Sequence, residues 1–85
     1  MNLNELKDFC EEYIQSYEED LKNFKFIIAK YSEEQPYYCV FAAVMKNRKK
    51  CIYGYCFANE LSLESVLDLV YSFDCKVEVS NKFMF

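Results

Sequence analysis

The sequence predicts an α+β domain, a two-layer sandwich of order α-β-β-β-α-β in which two helices pack on one face of a four-stranded, mainly antiparallel sheet. Apolar residues recur at three- and four-residue steps in two segments and at alternate positions in four others. Aromatic residues make up 19% of the composition, while Gly and Pro occur once each, which favours regular structure over long loops. The 85 residues suit a single domain over 1–85.

The first segment has the periodicity of an amphipathic helix near residues 3–22. Asn2 is placed as its N-cap, with an acidic residue at the capping-box spacing three positions after it. Glu18, Glu19 and Asp20 then fall at the C-terminal end of this helix. The helix dipole disfavours negative charge there by up to about 1 kcal/mol for each residue. A role other than helix stability is therefore indicated for these three acids.

Three strands follow as an antiparallel meander. The first begins at Phe24 and ends at a turn over 32–36, the second spans 37–45, and the third spans 51–58 after a polar connection. The second is apolar on both faces, as a central strand covered on each side would be. Alternation in the third predicts small side chains on one face, where a helix could approach closely, and large aromatic ones on the other. The first set is Ile52, Gly54, Cys56 and Ala58, and the second is Cys51, Tyr53, Tyr55 and Phe57.

A second helix and an edge strand complete the chain. Ser62 is placed as the N-cap of a helix that ends near Asp74. Val77 and Val79 alternate with polar residues, and 83–85 continue this segment as a half-buried edge strand. The sheet face away from the helices would meet water, so aromatic residues placed there are either core or an interface. The aromatic residues in question are Tyr37, Tyr38, Tyr53, Tyr55 and Phe57.

Charge is segregated along the chain, whose net charge is -4. Residues 1–23 have a net charge of -5 and residues 59–75 of -4, so both helical segments are acidic. Residues 24–58, which hold the three-strand meander, have a net charge of +4. The overall negative charge opposes adsorption to nucleic acid and to anionic lipid and favours a protein partner with a basic surface.

Several classes of function lack the residues they need. Histidine is absent, so the chain has neither the commonest general base nor the commonest zinc ligand. No nucleophile elbow or Gly-rich phosphate loop occurs, and we predict no enzyme, no metal site and no cofactor. The five cysteines form no C-x-x-C pair and are expected to be buried, reduced thiols, with Cys51 and Cys56 on opposite faces if their strand is unbroken. The start resembles no signal peptide, and the longest apolar run is too short for a bilayer, which predicts a cytoplasmic protein with no membrane partner.

The leading hypothesis is a small, acidic, non-catalytic protein-binding module of inhibitor or immunity type. Phage anti-defence proteins such as anti-CRISPR proteins, and toxin-neutralising proteins, are examples of this class. In this hypothesis spaced acids imitate phosphates and block a basic nucleic-acid-binding surface of the partner, while aromatic residues anchor the complex. The acids are Glu11, Glu12, Glu18, Glu19 and Asp20, and the anchors are Tyr53, Tyr55 and Phe57.

Two alternative functions stay open at this point. The first is a nucleic-acid-binding domain that uses the basic tip of the hairpin between the second and third strands. The second is a structural homodimer formed through the sheet face away from the helices. The residues of the basic tip are Lys46, Arg48, Lys49 and Lys50.

Overall fold

The computed structural model describes residues 2–85 and has the predicted α+β architecture and element order. The sheet order is β3-β2-β1-β4, with β1–β2 and β2–β3 antiparallel and β1–β4 parallel, so the sheet is mixed. A 3₁₀ segment, Glu18–Asn23, joins the first helix to the first strand. The elements are α1 (Leu3–Ser16), β1 (Phe24–Lys30), β2 (Tyr38–Lys46), β3 (Lys49–Phe57), α2 (Leu63–Tyr71) and β4 (Lys76–Val79).

Both predicted N-caps are present. The Asn2 side chain accepts a hydrogen bond from the Glu5 amide at 2.9 Å, and the Ser62 hydroxyl accepts one from the Ser65 amide at 3.2 Å. The predicted end of the first helix near residue 22 is wrong, because α1 ends at Ser16. Asp20 has non-helical backbone angles (φ -133°, ψ 34°), which bend the chain from the helix layer towards the sheet.

The main core lies between the two helices and the sheet. Leu6 and Cys10 of α1 and Val66 and Val70 of α2 are fully buried against the same sheet face. At about 25 cal/mol per Å² of apolar surface removed from water, such burial is the main term that holds the two layers together. The sheet residues buried on this helix-facing side are Phe24, Phe26, Ile28, Val40, Ala42 and Val44.

The sheet face away from the helices is a second core, which corrects the expectation that it simply meets water. Tyr31, Ile52, Phe57 and Met84 pack over a fully buried inner row of side chains. Although β4 ends at Val79, before the predicted strand end, backbone hydrogen bonds from the Met84 and Phe85 amides to Lys30 and Tyr31 hold the C-terminal segment beside the end of β1. The inner row is Ile27, Ala29, Cys39, Phe41 and Ala43.

A β-bulge interrupts β3. Ala42 pairs with Gly54 and Ala43 pairs with Ile52, so Tyr53 is the extra residue between two register positions. Regular alternation therefore fails at this point, and the two predicted face sets for β3 are wrong as sets. Cys51, Gly54 and Cys56 face the helices, while Ile52, Tyr55 and Phe57 face the other way.

Gly54 confirms the expectation that a helix comes close to small residues of β3. A Cβ at Gly54 would collide with the phenol ring of Tyr13 from α1, which lies directly above it. The Tyr13 hydroxyl donates a hydrogen bond to the carbonyl oxygen of Tyr53 at 3.2 Å. The Tyr13 side chain thus positions helix α1 on β3, and it fits there because Gly54 has no side chain.

An ion-pair network spans the second sheet face from one edge strand to the other. Glu78 of β4 lies 3.1 Å from Lys25 Nζ of β1 and 3.2 Å from Lys50 Nζ of β3. Hydrogen bonds from Lys25 and then Lys50 lower the pKa of Glu78 below its ordinary value of 4.5. Because Glu78 is 41% exposed, solvent screens this network and limits its contribution to stability.

Replacing Glu78 with Gln is expected to lower thermal stability in a pH-dependent way. The folded-state pKa of Glu78 is depressed, so its stabilisation is fully present above the ordinary carboxyl pKa and is lost as the pH falls below that value. The melting temperatures of the wild type and Glu78→Gln should therefore differ at pH 7 and converge as the pH is lowered to 2. The difference in the free energy of unfolding at pH 7 should be at most about 1 kcal/mol. Glu33→Gln, in the exposed loop before β2, is the control. A difference that stays constant over the whole pH range would contradict the assignment.

Candidate functional site

The predicted acids lie on the outer surface of α1 and of the 3₁₀ segment. Glu11 and Glu12 are exposed on α1, whereas Glu18, Glu19 and Asp20 form the first turn of the 3₁₀ segment. The three acids follow directly after the C-cap of α1, Tyr17, and so remain on the C-terminal side of that helix dipole. The six-residue 3₁₀ segment that they open is interrupted at Asp20.

These acids differ in the partners they have within the chain. Glu11 lies 3.9 Å from Lys7 in an exposed i,i+4 pair, which is a weak interaction. Asp20 accepts a hydrogen bond from the Asn23 side-chain amide at 2.7 Å. Across residues 2–85, no ion pair connects Glu12, Glu18 or Glu19 to a basic side chain. The charge of these three acids is thus available to another molecule.

A groove with an apolar floor and an acidic rim lies beside these acids. Ile14 of α1, Leu21 of the 3₁₀ segment and Phe73, just after α2, provide the apolar side chains. Glu11 and Glu18 stand at its rim together with Gln15. Leu21 is 38% exposed, so the floor is open to solvent. We refer to these six residues as the acidic groove.

The apolar residues of this groove continue the apolar stripes of the two helical segments in the sequence. A helical stripe identifies the side of a helix that is apolar, but it does not say whether a neighbouring element is long enough to cover it. Here α1 and α2 leave Ile14 and Phe73 only partly covered. The available signal was Leu21, an apolar residue within a run of charged ones.

The bulge separates Tyr53 from the two other predicted anchors. Tyr53 lies on the helix side of the sheet, with its ring centroid 5.5 Å from that of Tyr17, next to Glu18. The ammonium group of Lys46 lies 5.4 Å from the Tyr53 ring centroid, and its hydrogen bond to Tyr53 raises the pKa of Lys46. Tyr53 therefore neighbours the predicted acids, but it carries a basic side chain on its ring.

Tyr55 and Phe57 lie on the opposite sheet face, in a cluster of aromatic rings. Tyr55 is 5.5 Å from Phe57 between ring centroids, and both are in contact with Tyr31. A hydrogen bond with Tyr55 raises the pKa of Tyr31. The structure thus brings together Tyr55 and Phe57 and places them away from the acidic groove. The other two predicted aromatic residues are divided as well, because Tyr38 packs in the helix-facing core while Tyr37 is exposed beside Phe57.

The basic tip is a two-residue hairpin turn. Asn47 and Arg48 both have positive φ (52° and 64°), as a type I′ turn requires. Lys46 contacts Tyr53 on the helix side, while Lys50 binds Glu78 on the other side. The four predicted basic residues therefore do not form one patch, and Lys50 is already engaged within the chain.

Four of the cysteines are buried or partly buried, and their thiol pKa values are raised, which disfavours the thiolate form. Burial raises the pKa of Cys10 to about 12 and that of Cys39 to about 11. Burial also raises the pKa of Cys56 and Cys75. The expectation that Cys51 and Cys56 point to opposite faces assumed an unbroken strand and is wrong, because the bulge turns both towards the helices.

Comparison with known proteins finds no matching family model, curated protein or solved structure. Within residues 2–85, no helix is long and apolar enough to cross a membrane. The same residues contain no group of three or more Cys, Asp or Glu side chains arranged to hold a metal ion.

Proposed function

We propose that this chain is a small protein-binding module of inhibitor or immunity type, which covers a basic surface of another protein with its acidic groove. The observation that carries the proposal is the placement of Glu18 beside the open apolar floor of the groove. Neither Glu18 nor Glu19, its neighbour in the chain, has a basic partner within residues 2–85. Glu78, by contrast, binds Lys25 and Lys50.

This combination suits an amphipathic basic segment of a partner. Charged residues around an interface steer association and set specificity, while buried apolar anchors supply most of the affinity. The groove offers both, with Ile14, Leu21 and Phe73 as a floor for an apolar side chain and Glu11 and Glu18 at the rim for Arg or Lys. A basic nucleic-acid-binding surface would be blocked by such a complex, because its cations would be occupied by carboxylates instead of phosphates.

Reversing the charge of Glu18 and Glu19 to Lys is expected to weaken binding at least about tenfold at low salt. The probe is a synthetic helical peptide with one Lys/Arg face and one Leu face, titrated into the labelled protein and followed by NMR. In the wild type, the amide signals that shift should belong to α1, to the 3₁₀ segment and to Phe73. The matched control is Glu33→Lys with Glu34→Lys, an adjacent exposed pair. Reversing this pair changes the net charge of -4 by the same amount as reversing Glu18 and Glu19.

The control pair should bind the peptide within about twofold of the wild type, since only the total charge has changed. Equal losses in both double variants would show that total charge rather than the groove decides binding, and would contradict the proposal. Proteins captured from a host lysate by the wild type and by both variants extend the same comparison to natural partners. A partner held equally by the Glu18→Lys, Glu19→Lys variant would likewise contradict it.

A gel-shift experiment with single- and double-stranded oligonucleotides at low salt tests the nucleic-acid alternative. The proposal expects no shift, because the acidic helix layer repels phosphates and Lys50 is held by Glu78. A shift that is lost on replacing Arg48 and Lys49 with Ala would assign nucleic-acid binding to the hairpin tip and overturn the proposal.

A further inference from the structure

The side of the sheet away from the helices presents a cluster of aromatic rings, which we call the aromatic face. Tyr31 lies at its centre, with ring-centroid distances of 5.1 Å to Tyr55, 5.3 Å to Phe57 and 5.1 Å to Phe85. Phe41 lies beneath, 5.7 Å from Tyr55. The cluster therefore has a buried layer and an outer layer.

The outer layer leaves much aromatic surface exposed, although the side chain beneath it is already fully buried. Phe41 is fully buried in the single chain, yet Tyr55 remains 43% and Phe85 66% exposed above it. Tyr37, also exposed, adjoins Phe57 in a shallow pocket at the end of the cluster. Contiguous exposed rings with polar tips are typical of surfaces that contact another protein.

Charge indicates which protein covers this face. The charged side chains that the sheet register places on it are Lys25, Lys50, Lys76 and Glu78. Glu78 binds Lys25 and Lys50, and Lys76 donates a hydrogen bond to the carbonyl oxygen of Lys22. The acidic segments 1–23 and 59–75 contain the helices, which pack on the opposite side of the sheet. Two copies that meet face to face would thus keep their acidic helix layers apart, with two sheets between them.

Size is also consistent with self-association. The Cα extents of the chain are 32 × 26 × 16 Å. We take the shortest extent as the combined thickness of the helix layer and the sheet layer. A standard protein–protein interface removes about 800 Å² from each partner, which a face with the two longer extents can supply. Sheets that pack face to face at about 10 Å are a common arrangement in proteins.

We propose that two copies of this chain form a symmetric dimer through their aromatic faces, with Tyr55 and Phe85 of each copy buried in the interface. A two-fold axis places the same patch on both sides, so each ring cluster packs on its counterpart. The dimer stands independently of the acidic groove, which lies in the helix layer and stays accessible in both copies.

Sedimentation equilibrium and light scattering across protein concentration test this proposal. The wild type is expected to form a dimer, and replacing Tyr55 and Phe85 together with Ser should weaken dimerisation at least about tenfold. Phe85→Ser alone removes a ring that is 66% exposed in the single chain, so the fold should be retained while dimerisation weakens in the same direction. The matched control is Tyr71→Ser, because Tyr71 is an exposed tyrosine on α2 in the helix layer.

The dimer would be overturned by a wild type that is monomeric at every concentration reached, by a dimer unchanged by the Tyr55 and Phe85 substitutions, or by equal weakening by Tyr71→Ser. Circular dichroism and thermal melts of each variant establish that it is folded before its mass is measured. The variant with Glu18 and Glu19 changed to Lys should dimerise like the wild type. Dimerisation lost in that variant would place the interface on the helix layer and also overturn the proposal.

Discussion

Replacing Phe41 with Ala is expected to lower the free energy of unfolding by about 3–5 kcal/mol, the usual cost of removing a fully buried aromatic ring. Phe41 is completely inaccessible, and its ring centroid lies between 5.7 and 6.4 Å from those of Tyr31, Tyr55 and Phe85. Its loss would leave a cavity that the neighbouring rings could fill only in part. Since domains of this size have only about 4–13 kcal/mol of total stability, the variant should be close to unfolding at 37 °C.

The control for this prediction lies in the same ring cluster. Phe85→Ala should cost less than about 1 kcal/mol, because the Phe85 ring is mostly exposed in the single chain. Urea denaturation at one low protein concentration, where any self-association is minimal, measures both variants. Equal and small losses for Phe41 and Phe85 would mean that the second sheet face contributes no core, contrary to the burial of its inner row.

Replacing Gly54 with Ala is expected to destabilise the fold by about 1–3 kcal/mol, even though Ala is otherwise the better residue in a strand interior. The added methyl group would occupy the space that the Tyr13 phenol ring takes above Gly54. Tyr13 would have to move away, and its hydrogen bond to the Tyr53 carbonyl would be lost. The expected readout is a lower midpoint in urea with an unchanged denaturant slope.

A double-mutant cycle shows whether the collision with Tyr13 is the cause. In a Tyr13→Ala background, Gly54→Ala should cost almost nothing or stabilise by about 0.5–1 kcal/mol, because the ring is gone and Gly no longer offers an advantage. Tyr13→Phe provides the complementary control, since it keeps the ring and removes only the hydroxyl. A cost for Gly54→Ala that is the same with and without the Tyr13 ring would refute this explanation.

The fold was readable from the sequence where local chemistry and periodicity agree. Asn2 and Ser62 were identifiable as N-caps because a short polar side chain precedes an amphipathic stripe. The segment 37–45 was identifiable as a central strand because both of its faces are apolar. In each of these places a single secondary-structure assignment agrees with the residue propensities, the apolar pattern and the expected burial.

Two features were beyond sequence reasoning for a shared physical reason. Tyr17 and Leu21 continue the spacing of α1, and over one turn the three-residue period of a 3₁₀ segment is close to the period of an α-helix. In β3, Cys51, Ile52 and Tyr53 are all apolar or aromatic, so no polar residue marks where alternation shifts by one. Where every side chain tolerates either face, the pattern carries no information about which face it takes.

The candidate site was predictable in composition and not in arrangement. The acids were visible as a charged helix surface, but the open apolar floor beside them depends on where α1 and α2 stop covering each other. The aromatic residues of β3 were predicted to be either core or interface, and the bulge assigns Tyr53 and Tyr55 to opposite sides of the molecule. Long-range packing decides both points.

Two buried thiols of the native protein can be used to measure local opening of its structure. Cys10 lies on the helix-facing side of the sheet and Cys39 on the other, and both are fully buried with strongly raised pKa values. An alkylating reagent can modify such groups only in molecules whose local structure has opened. The relative labelling rates of these two positions therefore distinguish detachment of the helices from release of the C-terminal segment, without a foreign probe in the chain.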